Sequence, residues 1–312
     1  MRRLAVLVLI AGCGDGALGI ADFPDAFLDA RCSYEARCGL FQSAGACRTF
    51  EQARTVDSPN PEAAQKAGKL HFDAAAAQAC LDAYKQASCD ATLQAADTFA
   101  VCSKITTGTV AQGGACGFNG ECESNNCQHA SCPDACCTGT CQPAVAQPDV
   151  GQPCTLICID GAFCGVDSIC HANLPEGAAC TASDVCGYGL YCAGDTASTS
   201  GACRPLPHTG EACEEGCALL ADVCVAGCTP VGFAGASCTS YSCAPGFTCV
   251  GAQCVALPAL GEPCQGECAG EAWCNANTCV ARLANGSPCM RFDQCASHFC
   301  AAGACTDVQL CI

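Results

Sequence analysis

The chain reads as a small disulfide-rich repeat array, with little regular secondary structure beyond short β-hairpins, preceded by a disulfide-stapled α-helical domain. Three observations predict this. Thirty-nine of the 312 residues are cysteine, a density that belongs to secreted disulfide scaffolds. From Gly113 onward the cysteines recur in a fixed frame of a glycine, two residues and then four spaced cysteines. Before about residue 110 they are sparse and lie among alanine-rich, amphipathic stretches. Four segments follow: a leader at 1–19, a helical domain at 20–110, a first cysteine-rich block at 111–150, and six further four-cysteine repeats at 151–312.

The leader opens on Met1-Arg2-Arg3 and continues as an apolar run from Leu4 to Ile10. A charged start before a short apolar stretch is an export signal, too short to span a bilayer. The string LIAGC, Leu9 to Cys13, resembles the lipobox of bacterial lipoproteins. That resemblance implies lipidation of Cys13, a mature start at that residue, and a place on the outer membrane or cell surface. The competing reading is cleavage after Ala17-Leu18-Gly19, a small-x-small pattern that would release a secreted protein. Both remove Cys13 from the disulfide pool and leave 38 cysteines, an even number.

In the helical domain Pro24 suits a first helical turn, with Phe27, Leu28, Tyr34 and Cys38 near one face. Asn60-Pro61 reads as an N-cap and first helical residue, with Gly68 as a break. Asp73 can cap a helix in which Ala77, Cys80, Leu81 and Tyr84 form an apolar stripe, and a last short helix follows Asp90 toward Cys102. These elements make a bundle of three to five helices. Closing short turns between helices suggests the pairs Cys38–Cys47 and Cys89–Cys102, leaving Cys32–Cys80.

The repeat frame starts at Gly113, Gly151, Gly177, Gly210, Gly235, Gly261 and Gly286, with spacers such as HANLPE and VALPAL between blocks. A period this regular marks an array, and the proline-bearing spacers are short and stiff. A bulky residue stands at or just before most third cysteines: Phe163, Tyr191, Phe247, Trp273 and Phe299. Such a ring is nearly all the apolar core a block could own. One aromatic cannot offset the roughly 1.5 kcal/mol per ordered residue that folding costs, so disulfides worth about 2 to 4 kcal/mol each must close the balance. Four cysteines allow three connectivities. The one favoured here is first-with-third and second-with-fourth, giving Cys154–Cys164, Cys158–Cys170, Cys238–Cys249, Cys243–Cys254, Cys264–Cys274 and Cys268–Cys279.

CTASDVCGYGLYC from Cys180 and CMRFDQCASHFC from Cys289 resemble the Dickkopf N-terminal cysteine-rich domain as found in cysteine-rich bacterial lipoproteins. RCGLFQSAGAC and FDAAAAQACLDAY are similar to the helical domain that precedes such repeats. The resemblance implies a surface lipoprotein. It carries over no binding residue, since none of the family's receptor contacts can be matched here.

Other chemistries are poorly served. Two thiolates on one tetrahedral metal call for Cys-x-Cys or Cys-x-x-Cys spacing, and neither occurs. The closest pairs are Cys-x-x-x-Cys, as at Cys213 and Cys217, so neither a metal nor any other cofactor is expected. The five histidines, His71, His129, His171, His208 and His298, are scattered, and no HExxH, GxSxG or phosphate-loop string appears. His171 and His208 sit in spacers and are expected to face solvent. The net charge is −17, and from Gly113 onward only Arg204, Arg282 and Arg291 stand against 18 acidic residues. Nucleic acid is therefore a poor partner. The expected function is non-enzymatic: an exported spacer or binding array, held to a membrane by its N-terminal lipid and facing an unknown protein or glycan. An inhibitor or ligand-like module and a thiol metal buffer are the alternatives. Parity adds one expectation. The first block holds seven cysteines and the last five, so either the array folds back, or pairing slips across blocks, or leftover thiols such as Cys311 link two chains.

Overall fold

The computed structural model of the protein describes residues 18–54, 61–95, 97–129, 138–145, 147–155, 158–181, 185–194, 200–214, 216–238 and 242–306. Four helices form first: α1 (Phe23–Arg37), α2 (Ala44–Gln52), α3 (Pro61–Lys66) and α4 (Ala74–Gln86). The Asp73 carboxylate accepts from the Ala75 and Ala76 amides at 2.9 and 3.0 Å, which caps α4 as its position suggests. Ser43 caps α2 in the same way through Ala46. Gly68 takes a positive φ of 71° and ends the α3 turn. After Asp90 the chain makes two short 3₁₀ turns, Ala91–Leu93 and Ala100–Lys104, rather than one α-helix. A two-stranded ribbon, β1 (Leu70–Phe72) with β2 (Thr106–Gly108), ties the start of α4 to the exit of the domain.

The helical part owns an aromatic core. Phe23 and Phe27 of α1 meet Phe72 and Tyr84, and Tyr84 stacks on Phe99 with ring centres 4.5 Å apart. Its disulfides differ from all three expected pairs. Cys32 bonds Cys47, Cys38 bonds Cys89, and Cys80 bonds Cys102, in place of Cys32–Cys80, Cys38–Cys47 and Cys89–Cys102. The cause is that α1 carries two faces. Leu28 and Cys32, one turn apart, look onto α2 with Phe41 and Cys47, whereas Phe23 and Phe27 look onto α4 with Cys80. The C-terminal ends of α1 and α4 lie side by side, with Arg37 donating to the Tyr84 and Ala87 carbonyls, so Cys38 meets Cys89 across 51 residues.

The array repeats one backbone pattern seven times. Each frame glycine has φ between 79° and 87°, the left-handed conformation that the third position of a type II turn requires. In every block the frame glycine's amide donates to the fourth cysteine's carbonyl, as in Gly151 to Cys170 and Gly286 to Cys305. The fourth cysteine's amide returns a bond to the residue after the glycine. The residue after the second cysteine donates to the spacer residue three places before the glycine, as Ala218 does to Pro207 and Ala296 to Leu283. Where that spacer residue has an amide, at Val110, Leu174, Gly232 and Leu283, a parallel bridge to the second cysteine completes the contact. Where it is proline, at 148, 207 and 258, only the first bond forms, because proline has no N–H. The structural unit therefore begins in the spacer.

The third and fourth cysteines stand directly opposite in the closing hairpin of every block, as in Cys249↔Cys254 and Cys274↔Cys279. Opposed residues of an antiparallel pair share one face, so both sulfurs point at the loop that holds the first two cysteines. First pairs with third and second with fourth throughout, including Cys154–Cys164, Cys158–Cys170, Cys238–Cys249, Cys243–Cys254, Cys264–Cys274 and Cys268–Cys279. In the first block Cys141 holds the fourth position, opposite Cys127, so Cys132, Cys136 and Cys137 belong to an insertion outside the described residues. Cys13 and Cys311 also lie outside them.

The expected ring core is not there. Phe163, Tyr191, Trp273 and Phe299 are only partly covered, while at least one half-cystine sits almost fully buried in each block. Strand geometry explains it: a residue next to an inward-facing cysteine must point to the other side of the hairpin. In five of the blocks the cysteines are the core and these four rings lie on the other side, whereas Phe247, two residues before Cys249, packs with Phe233 on the Ala221, Val231 and Ala244 cluster.

The array also meets the helical part. Lys69 reaches the buried Glu121 of the first block at 3.3 Å. Ala91 and Leu220 exchange backbone bonds with Ala218 and Cys89. Leu40 packs beside the Ala221, Val231 and Ala244 cluster, and Arg282 donates to the Ala53 carbonyl at 3.0 Å. Blocks early, middle and late in the array thus return to the same helical unit.

Candidate functional site

The join between α2 and the later blocks encloses two adjoining concavities. The first is a groove of about 350 Å³ lined by Phe41, Phe50, Phe233, Phe247 and Leu257, with the exposed Ala46 on its α2 side. Phe41 packs on Phe50, and Phe233 on Phe247, so the groove is walled by one ring pair from each region. The second is a cleft of about 700 Å³ that includes Trp273, Asn277, Arg291, Phe292 and His298. Arg54 and Arg282 line both.

Each arginine is placed by the fold. Ala53 is the C-cap of α2 and its carbonyl accepts from Arg282 Nη1, a cation at the negative end of the helix. Arg54, the next residue, lies over the Phe50 ring at 5.0 Å. The Arg282 side chain is 10% exposed, and its Nε–H is buried with no hydrogen-bond partner. Trp273 Nε1–H, on a residue of the same cleft, is buried and unpartnered as well. Burial lowers the Arg282 pKa from its ordinary value, partly offset by Glu271. His298 Nε2 is in contact with Arg282 Nη1. Burial and then the Arg282 charge lower the His298 pKa, which favours the neutral imidazole that can accept from the guanidinium.

Carboxylates are near but loosely held. Glu267 stands 3.7 Å from Arg54 and Glu271 3.7 Å from Arg282, whereas the other lysine and arginine ion pairs among the described residues close to 3.3 Å or less. In a chain of net charge −17, the two most loosely paired arginines line one site.

The histidines picked out from the sequence do not converge. His171 is exposed and bonds Asp167 at 3.0 Å within its own hairpin. His208 is half-exposed, as a spacer residue should be, yet its Nε2 lies 2.8 Å from the Asp90 carboxylate of the helical unit. Each block also gathers sulfurs, with the Sγ atoms of Cys154, Cys158 and Cys170 within 4.8 Å of one another, but these atoms are in disulfides and offer no thiolate. The sequence did single out Phe247 and Trp273 as bulky hairpin residues. It gave no signal that Phe41 and Phe50 would face them, because that meeting is set by tertiary contacts separated by some two hundred residues.

The comparisons returned no matching family model, no matching curated protein and no matching solved structure. The seventeen disulfides among the described residues are those of an exported protein. No described helix is long and apolar enough to cross a membrane.

Proposed function

We propose that the protein is a non-enzymatic binding protein of the cell exterior, anchored through a lipid on Cys13, whose repeat array is wrapped on the helical unit to form a ligand cleft. The observation that carries this is the joint construction of the groove: neither Phe41 and Phe50 nor Phe233 and Phe247 alone would enclose it. Ligand sites are characteristically concave, mostly apolar and supplied with a few converging polar groups, often where two units meet. A plain spacer would have no use for blocks that return to their base. The Dickkopf-like frame and the lipobox are consistent with a surface lipoprotein of this kind.

Native mass spectrometry and thermal shift of the oxidised full chain against a panel of extracellular solutes test the reading. We expect a ligand that raises the melting temperature and is lost in Ala46→Phe, which fills the groove from an exposed helix position. Binders indifferent to that substitution, or none at all, would contradict it. Intact mass from the native host tests the anchor, with a lipid-sized increment on Cys13 expected and an unmodified start after Gly19 opposing it.

A further inference from the structure

The groove and the cleft differ in chemistry and share Arg54, Cys268 and Arg282, and this combination restricts the ligand. The groove offers four aromatic rings and Leu257 but no charge of its own beyond Arg54 and Arg282. Both guanidiniums stand at the boundary with the cleft, which adds Glu267, Arg291 and Asp293, since both line the two concavities. Arg282 spends Nη1 on the Ala53 carbonyl and on His298 Nε2, and leaves Nε–H without a partner in a buried setting. A buried donor without an acceptor is costly, and a guanidinium's preferred acceptor is a carboxylate bound through two N–H groups. The chain's own candidates, Glu267 and Glu271, stay at 3.7 Å and are each about two-thirds exposed. They are positioned to be displaced rather than to hold the arginines.

We propose, building on the binding reading above, that this site takes an amphipathic monocarboxylate, its apolar body lying along the Phe41, Phe50, Phe233 and Phe247 groove and its carboxylate received by Arg54 and Arg282. An alkyl or aryl chain matches a groove of this size and lining, and the two guanidiniums place the head at one end. Trp273, the chain's single tryptophan, lines the adjoining cleft and reports occupancy of the head region.

The test uses decanoate, decanol and butyrate, titrated calorimetrically into the oxidised full chain while Trp273 emission is followed. Decanoate is expected to bind saturably and at least tenfold more tightly than decanol, the size of preference one charge-assisted hydrogen bond supports, with butyrate far weaker than either. Arg54→Gln, at a half-exposed position, should remove most of the preference for decanoate over decanol. Ala46→Phe should abolish both. Equal affinity for decanoate and decanol, with both blocked by Ala46→Phe, would overturn the carboxylate assignment while leaving the binding cleft intact. Binding unaffected by Ala46→Phe, or no binding of any probe, would overturn the cleft itself. Disulfide content and far-UV dichroism matching the parent chain establish that each variant is folded.

Discussion

The helical unit and the repeat blocks use the same residue for opposite ends. In the helical unit, cystines are fastened onto an existing core of Phe23, Phe27, Phe72, Tyr84 and Ile105, and they join positions 15, 51 and 22 residues apart. In most of the blocks cysteines are the core, and the bridges join positions only 10 to 19 residues apart. The difference teaches that disulfide density measures how little apolar surface a segment can bury. It also leaves rings free for the join, where Phe233 and Phe247 wall the groove and Trp273 lines the cleft.

Reduction should separate the two regions most sharply. With a reductant and no denaturant, the blocks are expected to lose all protection from proteolysis while a helical fragment near 20–107 persists. Simultaneous loss of both would show that the helical core depends on its staples. Within the helical unit, replacing Cys38 and Cys89 by alanine should cost about 4 kcal/mol from the 51-residue closure in the chain-entropy account, measured by urea unfolding. A smaller cost than for Cys32 and Cys47 would break the ranking by loop length.

Next in size is the join at the first block. Lys69→Ala leaves the buried Glu121 carboxylate with only the Gly117 amide as its other described partner, and should cost about 2 to 3 kcal/mol. Lys69→Ala with Glu121→Gln should recover part of that loss, which a double-mutant cycle would read.

The smallest effect is a pH-dependent clasp between the regions. The hydrogen bond that His208 donates to the Asp90 carboxylate, more than the opposing effect of partial desolvation, raises the His208 pKa above its ordinary value. Burial pushes the Asp90 pKa up, but the Thr92 and His208 hydrogen bonds outweigh it and hold the carboxyl below its usual range. For the histidine, whose folded pKa is raised, the stabilisation is full below the ordinary histidine range and fades as pH rises through the raised value. For the aspartate, whose folded pKa is lowered, it is full above the ordinary carboxylate range and fades as pH falls through the lowered value. The clasp should therefore be tightest in mildly acidic solution. Exchange of the Ala91 and Leu220 amides, corrected for intrinsic rates, should quicken as the solution becomes alkaline, and His208→Asn should flatten that dependence. An unchanged profile in the variant would remove His208 from the account.

How much of this was legible follows from the range of the interactions. The glycine-started frame is local and was legible from spacing, whereas its left-handed turn was not read, and the order of pairing within a block was one of three connectivities that spacing leaves open. The Asp73 cap, also local, was legible. The helical disulfides were not, because short-loop closure is a weak guide when α1 presents Cys32 to one neighbour and Phe27 to another. The outward rings were misread because adjacency to a cysteine was taken as shared burial, when the two-residue period of a strand places neighbours on opposite faces. The cleft was out of reach, since Phe50 and Phe247 meet only if the array returns to α2.

That return is the central claim, and small-angle X-ray scattering of the oxidised full chain tests it most directly. Seven blocks of about 20 Å strung end to end would give a maximum dimension on the order of 140 Å. An array seated on a helical unit about 30 Å across, with blocks on either side, should give about 70 Å. A maximum dimension near 70 Å, unchanged across dilution, is the expected result, and one approaching 140 Å in monomeric protein would contradict the wrapped array and the cleft with it.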